Sequence, residues 1–344
     1  MVAFAAIPVH AEERRIAFLV CGDPQYLAEK TADPRKLDPN SEQANSRFIN
    51  LVNRFAGMEI PEKLGGGTVS EEIQGLIVTG DLIDSLDKHG GHYAGMARFE
   101  WQRFVDDYGL KGKDGRIPWP VYEFHGNHDG PQGDTFVVDD IIKRNRTRPD
   151  VANVSSNGLH YSWDWGPIHL VNLGMFAGAG EKRREGHHYA ARASLEFLKE
   201  DLQKLVGKSG RPVIVSHHLH LNAPEFDWPK EDLSAYYQLL SQYNVIAIFN
   251  GHTHGSPPRR HGWDGKNFGS QVKGIDNYDP DDAAASKIHK GKPVGLAHGV
   301  LYVEAIDRPG EDKDEFFVRS YLTRDNWTTA KWDRLWKKPI RIPD

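Results

Sequence analysis

The chain has 344 residues, of which 39% are hydrophobic and 10% aromatic, so it can bury a sizeable core as one large domain or two smaller ones. Its net charge of -5 gives no overall attraction to nucleic acid or to an anionic membrane surface, although local basic patches remain compatible with it. Cys21 is the single cysteine, which excludes an internal disulfide and a cysteine-ligated zinc site, and no apolar run approaches the ~18 residues of a membrane helix.

The N-terminal stretch MVAFAAIPVHAEERR resembles the end of a secretory leader, because small apolar residues lead to Ala11 and then to acidic residues. It is short and lacks the basic start of a complete leader. We expect residues 1–14 to be a leader remnant or a disordered terminus. A periplasmic or secreted location follows as the expectation, with a cytoplasmic location as the alternative.

Beyond this stretch the chain alternates between apolar runs and amphipathic helical periods, which is typical of α/β proteins. The runs that predict strands ending in polar residues are, in chain order, RIAFLVCGD, IQGLIVTGDLID, WPVYEFHGNHDG, RPVIVSHHLH and YNVIAIFNGHTHG. The predicted helices include SRFINLVNRFAGM, GMARFEWQRFVDDYGL and ARASLEFLKEDLQKLVGKSG, and GLHYSWDWGPIHLVNLG predicts a hairpin. After Trp263, shorter β-like segments such as GVLYVEAID and EFFVRSYLT indicate a second sheet.

Five predicted strands end in a residue type that binds metal ions. These residues are Asp23, Asp81, Asn127, His217, and His252 with His254. Each alone could be a turn former or a surface histidine. Side chains beyond the carboxyl ends of strands converge in α/β sheets, so their shared position indicates one site. Oxygen donors combined with imidazoles are typical of Mn, Fe, Zn or Mg sites.

The ordered set CGDPQ, TGDLID, HGNHDG, VSHH and NGHTHG resembles the motifs of the calcineurin-like metallophosphoesterase superfamily. The resemblance implies a four-layer α/β/β/α sandwich with two mixed β-sheets over residues 15–325. The tryptophan-rich tail, 326–344, is expected from its residues to pack on this domain, with contact to a membrane surface as the alternative. It also implies two divalent or trivalent metal ions, Mn, Fe or Zn, which activate a hydroxide. Asp81 would bridge the two ions. The first ion would also take Asp23, Gln25 and His254, and the second would take Asn127, His217 and His252.

By the same resemblance, His128 would face the substrate, and Asp84 or Asp129 would orient its imidazole. Gln25 stands where the family usually has histidine. An amide oxygen is a weaker donor than imidazole, so the first ion would be held more loosely or would be Mn, Mg or Ca in preference to Zn. Alternatively, Gln25 hydrogen-bonds a bound water. Strand alternation points His218 away from His217, so we expect a structural role for His218.

The predicted loops offer candidates for substrate binding. The segment GAGEKRREGHHY contains Arg183, Arg184 and His187, and it is consistent with a solvated charged loop or with a lip that grips additional phosphates. Arg47 ends the loop after the first motif and is a further candidate. The long polar insertion Asp276–Pro293 is expected to be a lid or a disordered loop.

Together these features predict a phosphatase that hydrolyses a phosphate monoester of a small molecule, an inositol phosphate or a phospholipid headgroup. A phosphodiesterase using the same two metal ions is the alternative within this class. From another class, the chain could be a phosphate-ligand binding module without turnover, with Gln25 as the first sign of decay. A nucleic acid partner is not expected, because the net charge is acidic and an aromatic-basic stripe is missing from the sequence.

Overall fold

The structure is a computed structural model that describes residues 13–29, 35–88, 91–254, 257–284, 288–289, 292–293, 298–308 and 314–343. Residues 1–12 of the predicted leader and most of the second half of the predicted insertion lie outside the described residues. None of the helices in the described ranges is both long and apolar enough to cross a membrane.

Strands and helices alternate along most of the chain. The described strands are β1 (Arg14–Cys21), β2 (Ile73–Val78), β3 (Val121–Glu123), β4 (Val151–Val154), β5 (Tyr161–Trp165), β6 (Ile168–Asn172), β7 (Val213–Ser216), β8 (Val245–Phe249), β9 (Arg259–Trp263), β10 (Phe268–Gly269), β11 (Ile275–Asp279), β12 (Ile288–His289), β13 (Lys292–Pro293), β14 (His298–Asp307), β15 (Asp314–Thr323) and β16 (Lys331–Ile340). The described α-helices are α1 (Pro39–Val52), α2 (Gly91–Tyr108), α3 (Phe136–Thr147), α4 (Ser194–Asp201), which continues as a π-helical turn over Leu202–Val206, and α5 (Lys230–Leu240), and a short 3₁₀ turn covers Glu62–Leu64.

The two large sheets are both mixed. The first has the strand order β16-β15-β14-β1-β2-β3, in which β1, β2 and β3 are parallel and the other neighbours antiparallel. The second has the order β10-β9-β11-β8-β7-β6-β5-β4, in which β11, β8, β7 and β6 are parallel. The carboxyl ends of these parallel strands carry the predicted site motifs.

Strand β1 shows how the layers form. Its residues Phe18 and Val20 point into the core between the two sheets, where the Phe18 ring lies 6.1 Å from that of Phe249 in an edge-to-face contact. Its alternate residues Leu19 and Cys21 face the opposite way, into a second core with helices α1, α2 and α3. Helices α4 and α5 cover the outer side of the second sheet in the same manner. The predicted four-layer α/β/β/α sandwich is confirmed.

The prediction that the C-terminal β segments build a second sheet is wrong. Strand β14 pairs antiparallel with β1 from Arg14–Asp307 to Val20–Leu301, so β14, β15 and β16 extend the first sheet. Periodicity in the sequence reports which faces of a strand are buried, but it does not name the neighbouring strand. The tail contributes β16 at the sheet edge, and Trp327 and Trp332 are buried in the helix-side core.

The start of the predicted polar insertion is part of the second sheet. Residues Ile275–Asp279 form β11, which lies between β8 and β9. The next residues reach the first sheet, where Asp282 forms a bridge with Gly22. Residues 275–284 are therefore an ordered part of the fold rather than a lid, and Asp282 lies beside the first motif.

Candidate metal centre

The predicted site residues meet where the carboxyl ends of the two sheets adjoin. The first sheet supplies Asp23 after β1, Asp81 after β2 and Asn127 after β3. The second supplies His218 after β7, then His252 and His254 after β8. In the part of the chain that the structure describes, three groups of potential metal ligands have donor atoms within 4.8 Å of one another, namely Asp81 with His218 and His252, Asp81 with His128 and His254, and Asp23 with His254 and Asp282. Asp81 belongs to two of these groups, which is the position that a bridging carboxylate requires.

The backbone is strained at these positions. Asp23, Gln25, Asp81 and His252 have φ angles of 39°, 35°, 48° and 72°, in the left-handed region that non-glycine residues rarely adopt. Such strain concentrates at functional sites, where the surrounding structure enforces it. Here it turns the chain sharply after each strand and directs the side chains towards the adjoining ends of the sheets.

Gly126 permits the close approach of the third motif to Asp81. A β-carbon at this position would lie 2.2 Å from Oδ1 of Asp81, so only glycine fits. Two residues later, the backbone N–H of His128 donates to the same Oδ1 at 2.9 Å. The packing of glycine against a carboxylate therefore explains the Gly-Asn-His order in this loop.

The donor atoms around Asn127 have the spacing of ligands that share one cation. Oδ1 of Asn127 lies 2.8 Å from Nδ1 of His252 and 3.1 Å from Nε2 of His218, and the latter nitrogen is 3.3 Å from Oδ2 of Asp81. Ligands bound at ~2.1 Å around one octahedral ion lie roughly 3 Å apart, so this set fits a metal. His218 also donates from Nδ1 to the carbonyl of Thr79 at 2.8 Å, which fixes Nε2 as the nitrogen that faces the site.

The assignment of His217 as a metal ligand is corrected by this geometry. His217 points into the core between the second sheet and α5, where its ring contacts Trp228 and Tyr236 at 5.0 and 5.6 Å. Its Nδ1 donates to the carbonyl of Leu219, and burial lowers its pKa to about 3. The two histidines do point in opposite directions, as expected, but His218 is the one that reaches the site.

Charge in the centre is unbalanced without a cation. Burial, together with the nearby carboxylates of Asp81, Asp282 and Asp279, raises the pKa of Asp23 well above its usual range. Burial also acts on Asp81, but His218 and His128 hold the pKa of Asp81 well below its usual range. A divalent cation would relieve the repulsion among these buried carboxylates and keep them ionised, which is a second respect in which the residues fit a metal.

Gln25 follows Asp23 by two residues, and its backbone contacts the second motif. It is fully buried, and its backbone N–H donates to the carbonyl of Asp81 at 2.9 Å. Asp23 accepts the backbone N–H of His252 at 3.1 Å, which links the first motif to the fifth. These backbone contacts therefore hold the first motif, which carries Asp23 and Gln25, against Asp81 and His252.

His128 is oriented by a residue that the sequence did not indicate. Its Nδ1 lies 3.0 Å from the carboxylate of Asp87, whereas the carboxylate of Asp84 is 3.9 Å away and is paired with Lys88. Asp129, the other predicted partner, accepts backbone N–H groups from Leu82, Ile83 and Gly126. Asp129 therefore joins the second and third motifs and does not contact the imidazole through a described hydrogen bond.

The predicted substrate-binding residues make structural contacts. Arg184 pairs with Glu231 at 2.7 Å and Asp232 at 2.6 Å, and Arg183 donates to the carbonyl of His187 at 2.8 Å. Arg47 donates to Thr328 and to the carbonyl of Asn326, so it fastens the C-terminal tail to α1. Among the described residues, His187 is not a member of any of the three groups of potential metal ligands.

Three residues near the centre were missed. Asp87 follows a turn after the second motif, Asp282 follows β11, and Tyr189 lies in the loop before α4. Burial raises the pKa of Tyr189, and the charges of Asp227, Asp81 and Asp87 raise it further. None of the three stands in one of the five motifs, so the only signal was acidic or aromatic residues in the connecting loops.

The fold and the site define a two-sheet α/β sandwich protein with a candidate metal centre at the strand ends. The chain belongs to the calcineurin-like phosphoesterase family, whose model, described as "Calcineurin-like phosphoesterase", matches residues 16–256. That range covers well over half of the chain and includes every motif from Asp23 to His254. Asp282 lies outside it.

The individual proteins that resemble this chain share 30% of its residues or fewer over the aligned region. Over 163 residues, or 45% of this chain, the sequence is 30% identical to purple acid phosphatase 23 of Arabidopsis thaliana, and the chain spans 31% of that relative's length. A solved phosphatase from Mycoplasma pneumoniae is similar with 13% identity and a TM-score of 0.37, covering 96% of this chain and 94% of the other. Vps29 from Chaetomium thermophilum gives 10% identity, a TM-score of 0.32, and coverage of 96% and 98%.

Proposed function

We propose that the protein is a metal-dependent phosphatase that hydrolyses a phosphate monoester of a small molecule or a lipid-derived headgroup. The observation that carries this proposal is the convergence on Asp81 of oxygen and imidazole donors from both sheets, with His128 beside them. Asp23, Gln25, Asp81 and His254 would hold one cation, and Asp81, Asn127, His218 and His252 the other. Bound cations such as Mn, Fe or Zn would supply positive charge to the phosphoryl oxygens and lower the pKa of water.

His128 is suited to proton transfer. Its Nε2 lies 3.9 Å from Asp81 and its Nδ1 3.0 Å from Asp87, so the ring lies between two carboxylates. Carboxylates stabilise the protonated imidazole, which can then donate a proton to the oxygen of the leaving alcohol. His128 would in this way neutralise the charge that develops on the leaving group.

The surroundings favour a small substrate. A cavity of about 280 Å³ is lined by His220, Thr253, Arg259 and His261 among others, and His220 stacks on His252 with 6.0 Å between the ring centroids. The cavity adjoins His252 through His220, and its size suits one small leaving group. Because Arg184 is paired with Glu231 and Asp232, the cationic loop supports a simple monoester better than a polyphosphorylated substrate.

Hydrolysis assays with metal-stripped and reloaded protein test this function. p-Nitrophenyl phosphate and bis(p-nitrophenyl) phosphate are compared after loading with Mn, Fe, Zn, Mg or Ca. We expect metal to restore hydrolysis, with the monoester preferred. A preference for the diester would favour the phosphodiesterase. Metal binding without turnover of either ester would contradict the enzyme and favour the binding module.

Gln25→His is expected to tighten one cation by about 10-fold or more, because imidazole is a stronger donor than an amide oxygen to Zn and similar ions. Isothermal titration of the stripped protein with Zn²⁺ measures both affinities. Gln132→His, in the loop after the third motif, is the control for adding a histidine outside the ligand set. Unchanged affinities in Gln25→His would mean that the side chain of Gln25 is not a ligand.

A further inference from the structure

Asp282 is a carboxylate of the centre that no family motif contains. It follows β11 in the second sheet, and its backbone is held at the end of β1 through a bridge to Gly22, with the Ala283 N–H donating to the Gly22 carbonyl at 2.7 Å. The Gly299 N–H donates to the Asp282 carbonyl at 3.0 Å. These contacts fix the residue between the two sheets, directly beside the first motif.

The side chain of Asp282 is aimed at His254. Its Oδ1 lies 2.5 Å from Nδ1 of His254, and its ligand atom lies within 4.8 Å of those of His254 and Asp23. Asp282 is fully buried, and within the described ranges no hydrogen bond reaches its Oδ2. Burying a carboxylate with an unsatisfied oxygen is costly, so a positive or strongly polar neighbour is needed to retain it there.

We infer that Asp282 is a positioning residue for the metal centre, which accepts the Nδ1–H of His254 and thereby presents Nε2 to the cation. His254 also belongs to the ligand group with Asp81 and His128, so its Nδ1 edge contacts Asp282 while the same ring lies close to Asp81. A carboxylate that accepts the distal N–H of a ligating histidine fixes its tautomer and raises its basicity.

This role of Asp282 rests on the metal centre in the proposed function. It matters more in this chain because Gln25 replaces an imidazole donor. The donor set at that cation, Asp23, Gln25, Asp81 and His254, contains a single imidazole. When one imidazole remains, its orientation and basicity determine more of the affinity. Asp282 therefore compensates in part for the weak amide donor of Gln25.

Asp282→Ala and Asp282→Asn test the inference by direct metal binding. The stripped proteins are titrated with Mn²⁺ and Zn²⁺ by calorimetry, and the melting temperature without metal reports folding. We expect Asp282→Ala to weaken one of the two sites by about 10- to 100-fold and to leave the other unchanged. Asp282→Asn should lose less, because its amide oxygen can still accept the Nδ1–H and the side-chain volume is kept.

The matched control is Asp276→Ala in the same segment. Asp276 is also a buried carboxylate, but its partners are Arg260 and Lys338, so its loss should lower the melting temperature without changing either metal affinity. Wild-type affinities in Asp282→Ala would overturn the inference. Equal losses in the alanine and asparagine variants would also overturn it, in favour of Asp282 as a direct ligand. Because no turnover is measured, the result stands apart from the phosphatase proposal.

Discussion

Asp81→Asn is expected to remove nearly all activity and to weaken both metal sites. The carboxylate belongs to two ligand groups, and its Oδ1 already accepts the His128 N–H, which an asparagine oxygen can retain. The Asp81→Asn variant therefore keeps the shape of the side chain and loses the negative charge that the two proposed cations would share. Metal ions contribute several kcal/mol to such reactions, so kcat should fall by about 10³-fold or more. Metal content by mass spectrometry and p-nitrophenyl phosphate hydrolysis measure the two effects.

Asp201→Asn provides the comparison for a buried carboxylate outside the centre. Asp201 is fully buried and accepts hydrogen bonds from Ser162 and Asn153 while pairing with His169. Its loss should reduce stability but leave metal content unchanged. Full activity with both metals retained in Asp81→Asn would refute the bridging role.

His128→Ala is expected to separate catalysis from metal binding. Its imidazole lies between Asp81 and Asp87 and is not needed to complete either proposed ligand set, so both cations should stay bound. Loss of a general acid costs about 10²- to 10⁴-fold in rate. The decrease should appear in kcat, and it should be smallest for esters with good leaving groups, which need no protonation. Loss of a metal together with activity would mean that His128 is a ligand.

Asp87 and Asp84 can be distinguished by the same assay. Asp87→Asn removes the charge 3.0 Å from Nδ1 of His128, whereas Asp84→Asn removes one at 3.9 Å that is paired with Lys88. Because a carboxylate favours the protonated imidazole, Asp87→Asn should shift the basic limb of the pH–kcat profile to lower pH. A larger shift of this limb in Asp84→Asn than in Asp87→Asn would show that Asp84 orients His128, as the sequence predicted.

The sequence predicted which strand ends lie close together, because the end of a strand can be recognised from its residues. Apolar runs that stop at Asp23, Asp81 and Asn127 identify the carboxyl ends of strands, and parallel strands bring those ends together. The sequence did not indicate in the same way which of His217 and His218 faces the centre. Alternation requires the two side chains to oppose each other, but which of them faces the centre depends on how the end of β7 packs against α5.

The roles of Asp87 and Asp282 depend on contacts that local patterns do not encode. Asp87 is positioned by a turn whose Leu86 N–H donates to the carbonyl of His128, 42 residues away in sequence from the turn. Asp282 depends on its bridge to Gly22 across the two sheets. The placement of β14 beside β1 is a pairing of the same long-range kind, which is why the sheet assignment of the C-terminal strands was wrong.

The division of the donors between the sheets has a consequence for heat resistance. Asp23, Asp81 and Asn127 follow strands of the first sheet, while His218, His252 and His254 follow strands of the second. A cation held by both sets would join the two sheets at their adjoining ends, in addition to the apolar core and the polar contacts between them. A ligand that binds only the folded chain adds about 2.7 kcal/mol of stability at 100 times its Kd. In the proposed metal-bound protein, the supply of metal ions would therefore affect the free energy of unfolding as well as the rate of hydrolysis.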